Sequence, residues 1–388
     1  MPWKETVAVE ERMRFIMECQ AGEESMAHLC RKYGISRRVG YKWIGRFAEG
    51  GVDGLKDQSR APHDHANAVE PSLQHRIVQL RGEHPRWGPR KLRVLLQRQQ
   101  TQVPAASTIG QILKRSGLCV PRRRVRHAPA SAPLGSCNAS NRVWCADFKG
   151  WFRTGDGLRC DPLTISDGYS RYLLRCQVMS DTGADAARRV FEATFRQYGL
   201  PEAIRTDNGS PFASVGVAGL SRLSVWWVRL GIDLQRIEPG KPQQNGRHER
   251  MHLTLKQETA SPPRATLRRQ QDLFDQFRQE FNEDRPHEAL GMNTPASYYE
   301  PSLRLYPERL AELEYPNEFA LRKVAERGQF RWKRWRVMLG KALEGEVIGL
   351  QALDERLWQV WFGPVRLGVL DEQQQRMLGD GECRRRGL

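Results

Sequence analysis

The sequence has no apolar run of about 18 residues, the length that a membrane-spanning helix needs, and no basic amphipathic helix suited to lying on a bilayer. Its first residues, Met1-Pro2-Trp3-Lys4-Glu5, carry no apolar signal-peptide core, so a secreted or membrane-inserted product is not expected. Its cysteines, Cys19, Cys30, Cys119, Cys137, Cys145, Cys160, Cys176 and Cys383, form no CxxC pair, and no Cys/His pair has zinc-finger spacing. They are expected to be reduced and partly buried thiols of a cytosolic protein. Acids are the deficient charge: 45 Asp and Glu stand against 62 Lys and Arg, for a net charge of +17 and a pI near 9.8. That excess predicts an acidic polymer as partner, nucleic acid rather than an anionic membrane. A chain of 388 residues, 39% hydrophobic and 28% charged, is long enough for about two to four compact units, each with its own core.

The first of these spans residues 1–58. A helical pattern over 7–21 turns Met13, Phe15, Ile16 and Cys19 inward. Met26 to Tyr33 is a short helix that Gly34 can end, Ser36 can cap the next, and Val39, Trp43 and Phe47 then recur every four residues as a core stripe. Arg37, Arg38, Lys42 and Arg46 remain outward. A short helix, a glycine turn and a second helix that is basic near its start make a helix-turn-helix, with DNA as the expected ligand. A polar linker over 57–67 leads to a second such unit, 68–120. It has helices over Leu73–Glu83 and from the Trp87-Gly88-Pro89-Arg90 turn to about Gln100, and a third expected to be capped by Ser107 and closed by Gly117. Residues 121–140 form a basic linker, in which Arg122, Arg123 and Arg124 are placed to meet phosphates. DNA contacts are expected at Arg90 as well.

Residues 141–300 read as one α/β unit. Val143–Phe148, Leu158–Ser166 and Tyr172–Met179 are three strands of a meander. A helix over Asp181–Tyr198, a strand over Ala203–Thr206, a helix over Leu220–Leu230 and a strand over Asp233–Ile237 follow, and then helices over Gln244–Thr259 and Leu267–Asn282. Three acids stand out. Asp147 ends the first strand, Asp207 follows a strand and precedes the Asn208-Gly209 turn, and Glu249 opens a helix. Carboxylates grouped without His or Cys ligands favour hard cations such as Mg²⁺ or Mn²⁺. On the helix, Asn245, Glu249, His252 and Lys256 are four, three and four residues apart, and at about 100° per residue they share a stripe. Glu258, about 900° beyond Glu249 at that pitch, falls on the opposite face. Beyond Ser302 short strand-like runs rich in tryptophan predict a small β-barrel over 315–388, of about 60 residues.

The contexts Trp144-Cys145-Ala146-Asp147, Thr206-Asp207-Asn208-Gly209-Ser210-Pro211-Phe212 and Pro242-Gln243-Gln244-Asn245-Gly246-Arg247-His248-Glu249, with Lys256 seven positions later, resemble the Asp-Asp-Glu motifs of insertion-sequence transposases in the retroviral-integrase superfamily. The segment Val215–Trp227 lengthens the interval between the second and third acids. Asn282-Glu283-Asp284-Arg285-Pro286-His287 resembles the motif that closes the family's catalytic domain, and both helix-turn-helix units and the terminal barrel resemble parts of the same proteins. The resemblance implies a multidomain chain with all-α N-terminal units, a ribonuclease H-like α/β core and a C-terminal β-barrel. It implies a polynucleotidyl transferase of a bacterial cytoplasm, associated with the nucleoid. Such an enzyme binds the ends of its mobile element, cleaves phosphodiester bonds with Mg²⁺ or Mn²⁺, in two ions, at Asp147, Asp207 and Glu249, and joins the 3′-hydroxyl ends to target DNA. Double-stranded DNA and further copies of the chain are the implied partners, and Lys241 and Lys256 flank the site as DNA contacts.

Asp161 and Asp167, both in the meander, compete with Asp147 for the first role. In the family the element Ile165-Ser166-Asp167-Gly168-Tyr169-Ser170-Arg171 packs and turns instead of binding metal. His248, His252 and His287 are open to reading as a base or ligand. Since metal-activated water needs no imidazole, His252 and His287 are taken as DNA-facing or packing residues. Two other function classes share these features. An inactive transposase remnant acting as a sequence-specific DNA-binding protein would lose the acids, and all three are present. A structure-specific nuclease has no need of tandem sequence-reading units.

Overall fold

The computed structural model describes residues 8–58, 68–99, 102–119, 137–238, 244, 246–379, 382, 383 and 385. Arg122, Arg123, Arg124 and Lys241, all expected to contact DNA, and Asn245 of the helical stripe lie outside the described residues. The chain divides into two compact units, Met1–Gln74 and His75–Leu388. No helix among the described residues is long and apolar enough to cross a membrane.

In the first unit α1 (Ala8–Ala21), α2 (Met26–Lys32) and α3 (Arg37–Gly50) enclose Phe15, Ile16, Leu29, Cys30, Trp43 and Leu55. Ser25 caps α2 by accepting from the His28 amide, and Ser36 caps α3 by accepting from Val39. Between them Gly34 takes φ +64°, which glycine adopts without steric cost. The inward face of α3 differs from the expected one. Val39 is exposed and Gly40 is buried, so the stripe runs Gly40, Trp43, Phe47. The reason is contact distance: a Cβ on Gly40 would lie 2.9 Å from Cys30 Sγ and 3.0 Å from the Phe15 ring. Glycine leaves no hydrophobic mark in a sequence, so periodicity alone places the stripe one position early. Gly40→Val should cost about 1–3 kcal/mol through overpacking, read as a lower melting temperature. A variant as stable as the parent would show that the helices do not meet there.

In the second unit α4 (Pro71–Glu83), α5 (Pro89–Gln99) and α6 (Ala106–Arg115) close over Ile77, Leu80, Trp87, Leu92, Leu96, Ile109 and Leu113. Ser107 does not cap α6. The helix starts at Ala106, and its cap position is Ala105, with no side-chain bond. The Trp87 turn is docked on the segment 280–288 of the same unit. Arg98 donates to the Asp284 carbonyl at 3.1 Å, His84 lies 3.3 Å from Glu280, and the Arg285 guanidinium sits 5.6 Å from the Trp87 ring centre.

The sheet at the centre of this unit consists of β1 (Val143–Phe148), β2 (Phe152–Arg153), β3 (Arg159–Asp167), β4 (Leu173–Met179), β5 (Ala203–Thr206) and β6 (Asp233–Arg236). Its order is β2-β3-β1-β5-β6, with β4 also on β3. The expected meander is present: β3 pairs antiparallel with β1 and β4, and β5 and β6 run parallel to β1. Successive residues of a strand face opposite sides. Trp144 and Ala146 therefore enter the cluster with Phe191 and Phe195 of α7 (Ala184–Tyr198) and Trp226 and Trp227 of α8 (Arg222–Arg229). The other side is covered by α9 (Gly246–Thr259) and α10 (Leu267–Gln279), through Met251, Leu255, Phe274 and Phe277. Asp147, out of phase with Trp144 and Ala146, belongs to this second side.

Among the described residues the C-terminal strands do not close into the expected barrel. The strands β7 (Ala320–Lys323), β10 (Val347–Ala352), β11 (Leu357–Phe362), β12 (Val365–Asp371) and β13 (Arg376–Leu378) make an open sheet, β13-β12-β11-β10-β7. Closure requires the two edges to pair, and here β7 pairs with β10 and β13 with β12. A turn at Lys333 (φ +50°) joins β8 (Gln329–Trp332) and β9 (Trp335–Met338) in a separate hairpin. Both sheets share one apolar cluster with Leu220, Val225 and Val228 around α8, and Arg229 binds Glu346 at 2.7 Å. The Val215–Trp227 segment, expected as an insert, thus supplies α8, whose two faces serve the two cores.

Candidate active site

Each candidate acid is delivered by a different element. Asp147 sits at the end of β1, opposite Thr164 of β3. Asp207 follows β5 directly. Its carboxylate Oδ1 accepts from the Gly209 amide at 3.1 Å, and a Cβ on Gly209 would lie 3.0 Å from its Oδ2, so only glycine leaves that oxygen uncrowded. Asn208 donates to the Ile237 carbonyl at 2.8 Å, and Phe212 is buried against Phe148, Phe191 and Trp227. These anchors hold the turn on either side of the acid. Glu249 lies in the first turn of α9 and is exposed, and Lys256, further along that helix, is exposed too.

Electrostatics connects the three. Burial, and then the negative charges of Asp207 and Glu249, push the Asp147 carboxyl up to about 7. Like charges within electrostatic reach oppose ionisation, so the half-buried Asp147 carboxyl keeps its proton to a higher pH than an ordinary carboxyl. Among the described residues no group of three or more His, Cys, Asp or Glu side chains is arranged to hold a metal ion as it stands.

The competing acids are engaged elsewhere. Asp161 accepts two bonds from Arg159, at 2.6 and 3.0 Å. Asp167, 1% exposed, accepts from the Asn141 and Ser170 amides and from the Ser170 hydroxyl, closing the β3–β4 turn. Glu258 falls on the far side of α9 and is paired with Arg285 at 2.9 Å.

His252, expected to face DNA or to pack, is packed. At 6% exposure it is inside, with Nε2 2.6 Å from Thr164 Oγ1 and Nδ1 3.7 Å from Asp147 Oδ2. His248, 2% exposed, has Nε2 2.8 Å from the same hydroxyl and Nδ1 2.8 Å from Ser166 Oγ. Burial pushes His248 down to about 3 and His252 to about 2, so both imidazoles are neutral. A position three residues beyond Glu249 is turned about 60° from it, enough to carry His252 off the exposed stripe and onto β3. His287 packs edge-on against Phe281, in a packing role. Sequence reasoning missed Thr164 and Ser166, and left His248 open as a base or ligand. The available signal was His248-Glu249-Arg250-Met251-His252, two histidines one turn apart on one face. That is also the spacing of a zinc-binding helix, but here hydroxyls occupy three of the four ring nitrogens.

Of the DNA-contact candidates, Arg37, Arg38 and Lys42 are exposed on α3, and Arg46 is half-buried, bonded to Gln58 at 3.0 Å. Arg90 is exposed and lies 3.7 Å from Glu288.

Known protein families match along much of the chain. A Helix-turn-helix domain family matches residues 11–63 and a Homeodomain-like domain family residues 39–113. Two Integrase core domain families match residues 138–242 and 230–295, the segments that carry the three acids. Among relatives, Transposase InsD for insertion element IS2A/D/F/H/I/K of Escherichia coli is 26% identical over 64% of this chain and 83% of its own length. An uncharacterized 39.2 kDa protein of insertion element IS476 from Xanthomonas euvesicatoria is 29% identical over 63% of this chain and 70% of its own. The HTLV-2 integrase catalytic core aligns at 15% identity and a TM-score of 0.33, over 42% of this chain and 98% of that one, too slight a likeness to bear on the site. The uncharacterized 31.7 kDa protein of insertion element IS407 from Burkholderia multivorans is 30% identical over 61% of this chain and 83% of its own length. With that extent of shared sequence, and helix-turn-helix and integrase-core segments along the chain, it belongs to the insertion-sequence transposases of the integrase-core family.

Proposed function

We propose that this transposase binds the ends of its mobile element, cleaves DNA there, and joins the released 3′-hydroxyl to target DNA, with Asp147, Asp207 and Glu249 as its catalytic carboxylates. The observation that carries this reading is the half-buried Asp147 carboxyl at the end of β1, pushed up by burial and then by the charges of Asp207 and Glu249. A cation among the three would relieve that repulsion, so the donor set fits a divalent ion in charge and in hardness. When bound, a pair of Mg²⁺ or Mn²⁺ ions supplies an activated attacking oxygen and charge compensation at the leaving oxygen. The chain's own part is positional. The Gly209 amide fixes the Asp207 carboxylate, α9 presents Glu249, and Lys256 on the same helix holds a DNA phosphate beside the acids. End recognition falls to the basic face of α3, with phosphate contacts from Arg37, Arg38 and Lys42, and to Arg90 and the linker arginines Arg122, Arg123 and Arg124. Lys241, outside the described residues, is proposed as a further DNA contact.

Glu249→Gln in the full-length protein should remove Mg²⁺-dependent strand cleavage, while Glu258→Gln cuts within a few-fold of the parent. Supercoiled donor DNA carrying the element's ends is the substrate. Cleavage by the Glu249 variant and none by the Glu258 variant would overturn the assignment. Separately, replacing Arg38 and Lys42 by alanine should weaken end binding and flatten its dependence on salt, by about one unit of log–log slope for each lost phosphate contact. A gel-shift titration between low and high salt reads it, and an unchanged slope would remove α3 from the interface.

A further inference from the structure

One hydroxyl lies between the strand that carries Asp147 and the helix that carries Glu249. Thr164 Oγ1 is 3.1 Å from the Asp147 carbonyl oxygen, 2.8 Å from His248 Nε2 and 2.6 Å from His252 Nε2. A threonine hydroxyl has one hydrogen to give and two lone pairs to receive with. The Asp147 carbonyl can only accept, so it takes the hydrogen. Both imidazoles must then donate, each from Nε2–H. His248 Nδ1 is left as an acceptor and is met by the Ser166 hydroxyl at 2.8 Å. His252 Nδ1 is left bare, 3.7 Å from the Asp147 carboxylate. Neutral rings satisfy all these bonds, and both histidines are buried.

Resting on the catalytic reading of Asp147 and Glu249, we propose that Thr164, His248 and His252 are positioning residues of the site. The Thr164 hydroxyl joins β1, β3 and α9 at a single atom, fixes both histidines as Nε2–H tautomers, and sets the register of the Glu249 helix against Asp147. The bare Nδ1 of His252 is the consequence: the nitrogen beside Asp147 offers a lone pair instead of a competing donor. A carboxylate free of such a donor keeps its oxygens for a cation. Supporting residues of this kind hold reacting groups in place, and a shift of about 1 Å can cost on the order of a hundredfold in rate.

Two measurements on the full-length protein test this. The first is nitrogen NMR of ring-¹⁵N-histidine protein without divalent ions, with resonances assigned by loss in His248→Gln and His252→Gln. The expected result is Nε2–H on both rings and an unprotonated Nδ1 on His252. A hydrogen on His252 Nδ1, or Nδ1–H in place of Nε2–H on His248, would overturn the proposal. The second compares Thr164→Val with Thr164→Ser. Valine keeps the shape and removes the hydroxyl. It should lower the cleavage rate at saturating DNA at least tenfold with end affinity unchanged, and serine should restore it. Cleavage by Thr164→Val at the parent rate would overturn the proposal. If the valine variant does not fold, the serine rescue and the tautomers decide. If the parent itself cuts no DNA, the catalytic reading has failed, and the tautomers alone decide whether the hydrogen-bond hub exists.

Discussion

Asp207→Asn should bind the element's ends as the parent does and cleave them slower by roughly two to three orders of magnitude, the loss usual when one group that stabilises transition-state charge is removed. The substitution is nearly isosteric. The Asp207 contact with the Gly209 amide survives through the amide oxygen of asparagine. The anchors of the turn, Asn208 on Ile237 and Phe212 in the core, are untouched. What changes is one negative charge in a set of three. Gel shifts and cleavage assays on a single preparation separate the two functions. Cleavage at more than a trace rate in Mg²⁺ would remove Asp207 from the catalytic set. Loss of end binding alongside cleavage would mean that the turn has a structural role beyond the acid.

The second large effect concerns stability, and its direction is opposite to that of most substitutions at a buried site. Asp147→Asn should stabilise the metal-free protein at alkaline pH. The Asp147 carboxyl is raised to about 7, first by burial and then by Asp207 and Glu249, from an ordinary value near 4. Between those two values the folded state binds more protons than the unfolded state, so stability falls as pH rises and the full penalty is present above about 7. A rise of that size corresponds to about 4 kcal/mol. The side chain is 24% exposed, and water screening reduces this to about 2 kcal/mol. A neutral asparagine removes the penalty. Melting curves in EDTA should therefore show Asp147→Asn a few degrees above the parent at pH 8, with the two drawing together as pH falls and converging only near pH 4. Added Mg²⁺ should raise the parent and leave the variant nearly unmoved, since an ion that binds only the folded state stabilises it by mass action. A parent with the same melting temperature at pH 5 and pH 8 would refute the repulsion.

Much of the architecture was legible because it is written in local terms. The turn between α2 and α3 needs a residue tolerant of φ +64° and a hydroxyl at the cap, and Gly34 and Ser36 state both in the sequence. The strand Val143–Phe148 and the acid at its end, the strand leading into Asp207, and the helix with Glu249 in its first turn depend on alternation, on a glycine turn and on helical period. The placement of Glu258 away from Glu249 is a matter of angle along one helix, and its partner Arg285 lies on that other side. Each of these follows from bonds and torsions within a few residues.

Other features depend on residues far apart in the chain, and there the sequence was silent or misleading. Gly40 is buried because Cys30 and Phe15 come within about 3 Å of it, a fact about the approach of helices that no hydrophobic pattern encodes. The strands after Ser302 were individually readable, but whether they close depends on which edges pair, and β7 and β13 each pair on one side only. His252 looked like a member of a polar stripe. It became a buried partner of Thr164, 88 residues away, because the packing of α9 on β3 chose which side of the helix to dehydrate. The sequence by itself determined where the three acids fall on their elements. Only the tertiary structure decided what surrounds them, because burial, the charge that one carboxylate feels from another, and the sharing of a single hydroxyl among three groups exist only once distant segments are in contact.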